Sequence, residues 1–295
     1  MDTGFAACHP AVNFIFFAAV IVGGMCFVHP WFLAVSLAAA LVYYVLLRGR
    51  RAVRTLAWLV PVSLVVCAAN PVFVARGDTV LFTWLGARAF TLEALLYGFA
   101  SGAMFFTVAL WFGCFNAVMT EDKLQHLFAP LAPALALAFS MTLRLVPSFS
   151  RRAAQIAHAR ACIGKGSAEG TRRERVEHGA QVLSALTGWA LEGAVETADS
   201  MCARGWGCGS RSRFALWRFG RREAVLSGVM AAALAALITG AAAGGARMVY
   251  YPAVTLPPCG GWTALGLGGY GLLCFLPSLL TIWEEISWRI SRSKI

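Results

Sequence analysis

Charge is what this chain lacks. Only 13% of its 295 residues are Asp, Glu, Lys or Arg, while 59% are hydrophobic, against about a quarter charged in a typical globular domain. None of the four charged types occurs between Val12 and Leu47, and the first basic residue is Arg48. A soluble domain of this length could not bury so much apolar surface, so a bilayer must cover it. The missing basic start also argues against a cleavable signal peptide, so the first apolar segment is expected to stay as a span.

Other absences exclude chemistry. A chain that consumed ATP itself would carry G-x-x-x-x-G-K-[ST] after a strand. "IGKGS" at 163–167 lacks the upstream glycine, sits at a helix end and is read as a loop. "GLGGYG" at 266–271 satisfies G-x-G-x-x-G, yet it lies inside an apolar span with no preceding strand, so helix packing is the better reading. No Ser/His/Asp, Cys/His or paired-carboxylate arrangement stands out, and a membrane enzyme acting on lipid would need such a cluster at one face. The five histidines are dispersed, two of them (His9, His29) in His-Pro steps. Most of the nine cysteines lie in apolar runs, and Cys202 with Cys208 lacks companions at zinc spacing. The chain is therefore read as no enzyme, with no metal or cofactor of its own. A self-sufficient secondary transporter is the main alternative. It is disfavoured because Glu93, Glu284 and Glu285 stand only at span edges and the chain has no two similar halves.

What is present is a series of apolar runs, each near the 20 or so residues a span needs. The first run divides at "VHPW" (28–31) into two spans. Further spans are expected at Thr55–Ala75, Ala94–Thr120, Ala224–Ala246 and Trp262–Trp283, the last reached through "LPPCGG". The basic loop "RGRRAVR" (48–54) and the tail "WRISRSKI" both belong inside by the positive-inside rule. Six spans with both termini cytoplasmic satisfy this. The segment 75–88 then faces outside, and its alternating apolar residues suit a short hairpin. Leu124–Leu143 is also uncharged, but a crossing there would put the following arginines outside. Pro130, Pro133 and Arg144 favour a broken helix lying along or dipping into the cytoplasmic face. In the fourth span Ala94, Gly98 and Gly102 form a small-xxx-small face for another helix, from this chain or a partner.

Residues 144–222 hold fourteen Lys/Arg against six Asp/Glu, a net of +8 out of the chain's +11. Attraction to anionic lipid accounts for many of these arginines, "RSRFALWRFGRR" (211–222) among them. No nucleic-acid reading motif accompanies them. From Arg172 to Arg204, apolar or small residues recur at Val176, Ala180, Leu183, Thr187, Ala190, Ala194, Ala198 and Met201, the spacing of an amphipathic helix. Glu192, Glu196 and Asp199 share another face. Gly205 ends this helix as a glycine cap, which leaves Arg204 at a C-terminus where a cation is favoured. The earlier run "AHARACIGKG" (157–166) has the same plan, with Arg160 near a helix end and Gly164 and Gly166 behind it. Together they form a loose internal repeat of Ala-Arg followed by glycine.

These features resemble the transmembrane T component of energy-coupling factor (ECF) transporters. The likeness covers about residues 9 to 222. It includes "HPAVNFIFFAAVI", the "NPVF…RGDTVLF" hairpin, "TLEALLYG", "APLAPALALAFSMTLRLVPSFSRRAAQI" and "ADSMCARGWG". The resemblance implies an all-α integral membrane protein with about six transmembrane helices and long amphipathic cytoplasmic coupling helices. Its expected divisions are an N-terminal transmembrane part (1–120), a coupling-helix region (121–222) and C-terminal transmembrane helices with a basic tail (223–295). It implies a scaffold in the cytoplasmic membrane that links two ATP-binding subunits, which hold ATP and Mg, to a separate substrate-binding membrane subunit for vitamin or metal-ion uptake. The family's coupling helices end in Ala-Arg-Gly, whose arginines enter grooves on the ATPases. Ala203, Arg204 and Gly205 match that motif. Ala159 and Arg160 match its first two positions, but Ala161 stands where glycine is expected. Glu192, Glu196 and Asp199 are expected at a helix crossing or partner contact.

Overall fold

The computed structural model describes residues 4–73, 79–84, 88–130, 132–164, 171–209, 217, 219–245, 248, 250, 255 and 260–292. The Lys165–Gly166 end of the first glycine run, most of the basic stretch 211–222, much of "LPPCGG" and the end of the tail lie outside the described residues. The chain divides into two compact units, one of residues 1–124 with 217–295 and one of residues 125–216.

In the first unit a short 3-10 turn (Gly4–Ala7) precedes α1 (Pro10–Cys26), α2 (Pro30–Arg48) and α3 (Arg51–Phe73). His9 caps α1 by accepting the Ala11 N–H at Nδ1 (3.2 Å), and Pro10 and Pro30 stand at helix starts, where a missing N–H costs nothing. The "VHPW" step is thus a restart of the helix. Strands β1 (Val80–Trp84) and β2 (Arg88–Thr91) pair antiparallel, with Val80 opposite Thr91 and Trp84 opposite Arg88. The expected hairpin is there, a few residues further along than 75–88. Residues 85–87, between the strands, lie outside the described residues. Thr91 then caps α4 (Leu92–Val118), and Thr79 Oγ1 donates to the Glu93 carboxylate at 2.6 Å. The short α5 (Glu121–Phe128) belongs to this unit only as far as Leu124, and α8 (Arg221–Ala242) and α9 (Gly261–Arg292) complete the unit.

Among the described residues five helices are long and apolar enough to cross a membrane, namely α2, α3, α4, α8 and α9. The chain is a multi-pass membrane protein. The six-span expectation counts α1 as well, but α1 has only 17 residues, a rise of about 26 Å against the bilayer's hydrocarbon thickness of about 30 Å. The helix of the last expected span runs to Arg292, nine residues beyond Trp283.

Large side chains fill the middle of this unit. Phe5, Phe16, Phe17 and Trp111 are fully buried and meet edge to face, with centroids 4.9 to 6.3 Å apart, each pair contributing about 0.5–1.5 kcal/mol beyond burial. Polar atoms here are paired across helices. The Ser36 Oγ of α2 accepts from Trp111 Nε1 of α4 (3.0 Å) and from the Tyr270 hydroxyl of α9 (3.1 Å). Lys123 is buried as well, and its Nζ donates to Ala6 O (2.6 Å) and Val118 O (2.9 Å), which ties the N-terminal turn to the end of α4. On the other side of that turn, Gly4 N–H donates to Glu284, which also pairs with Arg222.

The small face of α4 packs internally on α3. Pro71 has no N–H to give to the Cys67 carbonyl, so that oxygen loses its normal helical partner. Gly98 lies directly against it, where an added Cβ would sit 2.5 Å away, and a Cβ on Gly102 would lie 2.9 Å from Ser63 O. The Ala94 carbonyl accepts from Asn70 Nδ2 at 3.1 Å. In the same way Gly266 and Gly269 bring α9 onto Gly240 and Ala233 of α8, so "GLGGYG" serves helix contact.

Gly98→Ala should therefore push α3 from α4 and cost about 1–3 kcal/mol. Gly268→Ala, in open space within α9, should be neutral or gain up to about 1 kcal/mol of helix propensity. Thermal unfolding in detergent would separate the two, and equal midpoints would remove the proposed role of Gly98.

Candidate functional site

The second unit is built on two long helices, α6 (Pro133–Cys162) and α7 (Arg172–Ala203). α5 ends at Phe128 and Pro133 starts α6, so the uncharged run Leu124–Leu143 is divided between α5 and α6 rather than forming one helix. α6 is not among the helices long and apolar enough to cross. Phe149 meets Trp189 edge to face at 5.7 Å, and Arg160 near the end of α6 reaches Gln181 near the start of α7. The helices therefore run antiparallel. Neither contains a buried residue.

α7 begins with a capping box. Thr171 Oγ1 accepts the Glu174 N–H (3.4 Å), while the Glu174 carboxylate accepts the Thr171 N–H (2.7 Å). Accepting the Thr171 N–H holds the Glu174 carboxyl below its usual range. A depressed carboxylate stabilises the fold above its unfolded pKa, and this contribution fades as pH falls through the lower folded value.

The end of α7 is a glycine-terminated cap. Gly205 has φ +81°, its N–H donates to Cys202 O (3.0 Å), and the Trp206 N–H reaches Met201 O (3.0 Å). These are the paired 5→2 and 6→1 bonds of a Schellman motif. Arg204 is itself the cap residue and exposed, and its guanidinium makes no hydrogen bond or ion pair among the described residues. Ala203 and Gly205 beside it are exposed too, and a Cβ on Gly205 would meet nothing within 4 Å.

The first Ala-Arg ends differently. Helix α6 does not stop at Arg160 but continues through Ala161 to Cys162, and the left-handed residue is Gly164 (φ +75°), whose N–H donates to Ala161 O at 3.0 Å. The physical reason is the Cβ of Ala161, which disfavours the left-handed conformation and lets the helix run on to the next glycine. Arg160 is therefore in the last turn, half-buried, with NH2 donating to Gln181 Oε1 and lying 3.4 Å from His178 Nδ1. Its Nε is buried and without a hydrogen-bond partner among the described residues. Ala159 is exposed. The two arginines thus differ, one turned onto its neighbour helix and one exposed at its helix end.

Glu192, Glu196 and Asp199 are all exposed on α7. Ala190, Ala194, Ala198 and Met201 line a cleft with α6, whereas Val176 and Leu183 of the expected apolar stripe are exposed. The 7-residue steps Val176–Leu183–Ala190 drift around a helix of 3.6 residues per turn, so one stripe cannot stay on one neighbour. His178, Val182 and Leu186 take the partly covered positions instead, and the sequence pattern did not single them out.

A family model described as CbiQ, cobalt transport protein, matches residues 7–215. That is most of the chain and includes both arginines. The chain belongs to the CbiQ family, the T components of ECF transporters. No curated protein matches it. CbiQ proteins are transport components rather than enzymes. Helices α8 and α9 lie beyond the matched residues, yet α9 packs on α1, α2 and α8 of the same unit.

If Ala161 is what carries the helix past Arg160, Ala161→Gly should end α6 early and Gly205→Ala should fray α7 at a cost of about 1 kcal/mol. Amide hydrogen exchange reads both, as lost protection at Gly164 in the first and at Gly205 and Trp206 in the second. Unchanged protection in both variants would disprove this account of the helix ends.

Proposed function

We propose that this chain is the coupling subunit of an ATP-driven importer of the ECF type. Two cytoplasmic ATPases, which carry the ATP and Mg, dock on the region 121–222. Their closure is passed to a separate membrane subunit that holds a vitamin or a metal ion, cobalt being the cargo in the family's description. In this reading α1 is the sixth crossing, both termini face the cytoplasm, and residues 1–120 and 223–295 form the transmembrane body. The observation that carries the proposal is Arg204, exposed on a glycine-capped helix end and unpaired among the described residues.

A guanidinium at such an end offers a fork of donors that suits carboxylates and backbone carbonyls on a partner. Ala203 and Gly205 let that partner approach closely. Arg160, with Ala159, is the second anchor. Its half-satisfied guanidinium favours exchange of Gln181 for a better acceptor on an ATPase, because an orphaned charged N–H is costly. Glu192, Glu196 and Asp199 supply a polar face for a helix crossing or ATPase contact.

Losing one partner of a buried charged contact costs about 2–5 kcal/mol, more than tenfold in affinity. Tagged chain purified in mild detergent should bring two ATPases and a small membrane protein with it. Arg160→Glu with Arg204→Glu should release the ATPases while the unfolding midpoint stays unchanged. Unchanged co-purification of the double variant, or transport by the purified chain alone without ATP, would overturn the proposal.

A further inference from the structure

Between α6 and α7 lies a cleft of about 890 Å³, within the size range of small-ligand sites. Its charged lining is of one sign. Arg144, Arg151 and Arg152 all come from α6, and no acid lines it, although α7 carries Glu192, Glu196 and Asp199 along the same stretch. α7 contributes small residues instead, among them Gly193 and Ala194, and a Cβ on Gly193 would meet nothing within 4 Å. Leu145, Phe149 and Met201 add apolar wall.

The arginines are partly preset. Arg152 lies over the Trp189 ring, 5.4 Å from its centroid, and donates to Gln155 Oε1 at 3.2 Å. Arg151 uses only Nε, on Pro147 O at 3.3 Å. Its terminal nitrogens, and the whole Arg144 guanidinium, make no hydrogen bond or ion pair among the described residues. Planar guanidinium forks match the paired oxygens of a phosphate diester. A free phosphate would leave the apolar wall wet, and a bare hydrocarbon would leave three cations facing grease. A molecule with a phosphate at one end and a hydrocarbon chain behind it satisfies both. α6 has the same gradient along its length, uncharged from Pro133 to Leu143 and arginine-bearing from Arg144 onward, as befits a helix meeting an anionic leaflet.

We infer that the α6–α7 cleft binds one anionic phospholipid, its phosphate held by Arg144, Arg151 and Arg152 and an acyl chain lying over Gly193 and Ala194. This goes beyond the coupling role and stands without it, since no ATPase contact enters the argument.

The test uses the full chain in a neutral detergent with native mass spectrometry as readout. It is titrated with dihexanoylphosphatidylglycerol, dihexanoylphosphatidylcholine and glycerol 3-phosphate. The phosphatidylglycerol should bind at least tenfold tighter than either of the others. Arg144→Gln/Arg151→Gln/Arg152→Gln should weaken it at least tenfold. Ala194→Leu, which fills the acyl path and keeps the arginines, should weaken the lipid and leave glycerol 3-phosphate unchanged. Should the triple variant not fold, Arg144→Gln and Ala194→Leu carry the test. Equal binding of the two lipids would overturn headgroup recognition. Equal binding of glycerol 3-phosphate would assign the cleft to free anions, and wild-type lipid binding in the variants would place the lipid elsewhere. Lipid retention in the Arg160→Glu/Arg204→Glu double variant separates this result from the coupling reading.

Discussion

The cost of placing charge in hydrocarbon organises this protein. A basic or acidic side chain at mid-bilayer costs several kcal/mol or more, and the chain answers by moving its charge out of the apolar helices. Residues 144–222 carry +8 of the net +11. Two charges of the first unit are held by named partners. Lys123 is spent on the Ala6 and Val118 carbonyls, and Glu284 on Gly4 and Arg222. Inside, neutral groups do the polar work, as in the Ser36–Trp111–Tyr270 cluster. Close backbone approach at Gly98 and Gly240 does the packing.

The charged middle follows the opposite rule. Its helices bury nothing completely, and their ends are set by where the chain can turn left-handed. Gly205 comes directly after Arg204 and makes the arginine the cap, while Ala161 postpones the turn to Gly164 and leaves Arg160 within the last turn. One methyl group therefore converts two similar motifs into two different states, an open cation and one resting on the adjacent helix.

Much of this was legible in the sequence. Uncharged runs locate α2, α3, α4, α8 and α9 to within a few residues at most ends, because charge and proline bound them. Helix α7 was expected from Arg172 to Arg204 and is found from Arg172 to Ala203, since capping residues mark both ends. What stayed hidden depends on tertiary neighbours. Lys123 looks like an ordinary loop cation until Ala6, 117 positions away, is seen against it. The role of Gly98 needs the carbonyl that Pro71 frees on another helix. The expected apolar stripe of α7 lines the α6 cleft at Ala190, Ala194, Ala198 and Met201 but not at Val176 or Leu183, because seven-residue spacing drifts around a straight helix. The cleft is a property of two helices, so no single periodicity announces it.

The proposed coupling role requires the charged unit to lie on the cytoplasmic side of the membrane. Cys162 and Cys202 are exposed beside the two arginines, which makes them reporters. Single-cysteine forms retaining either one, treated with a membrane-impermeant maleimide, measure the claim directly. Labelling in inside-out vesicles and protection in intact spheroplasts is the predicted result, and labelling of either cysteine from outside the intact cell would contradict the account.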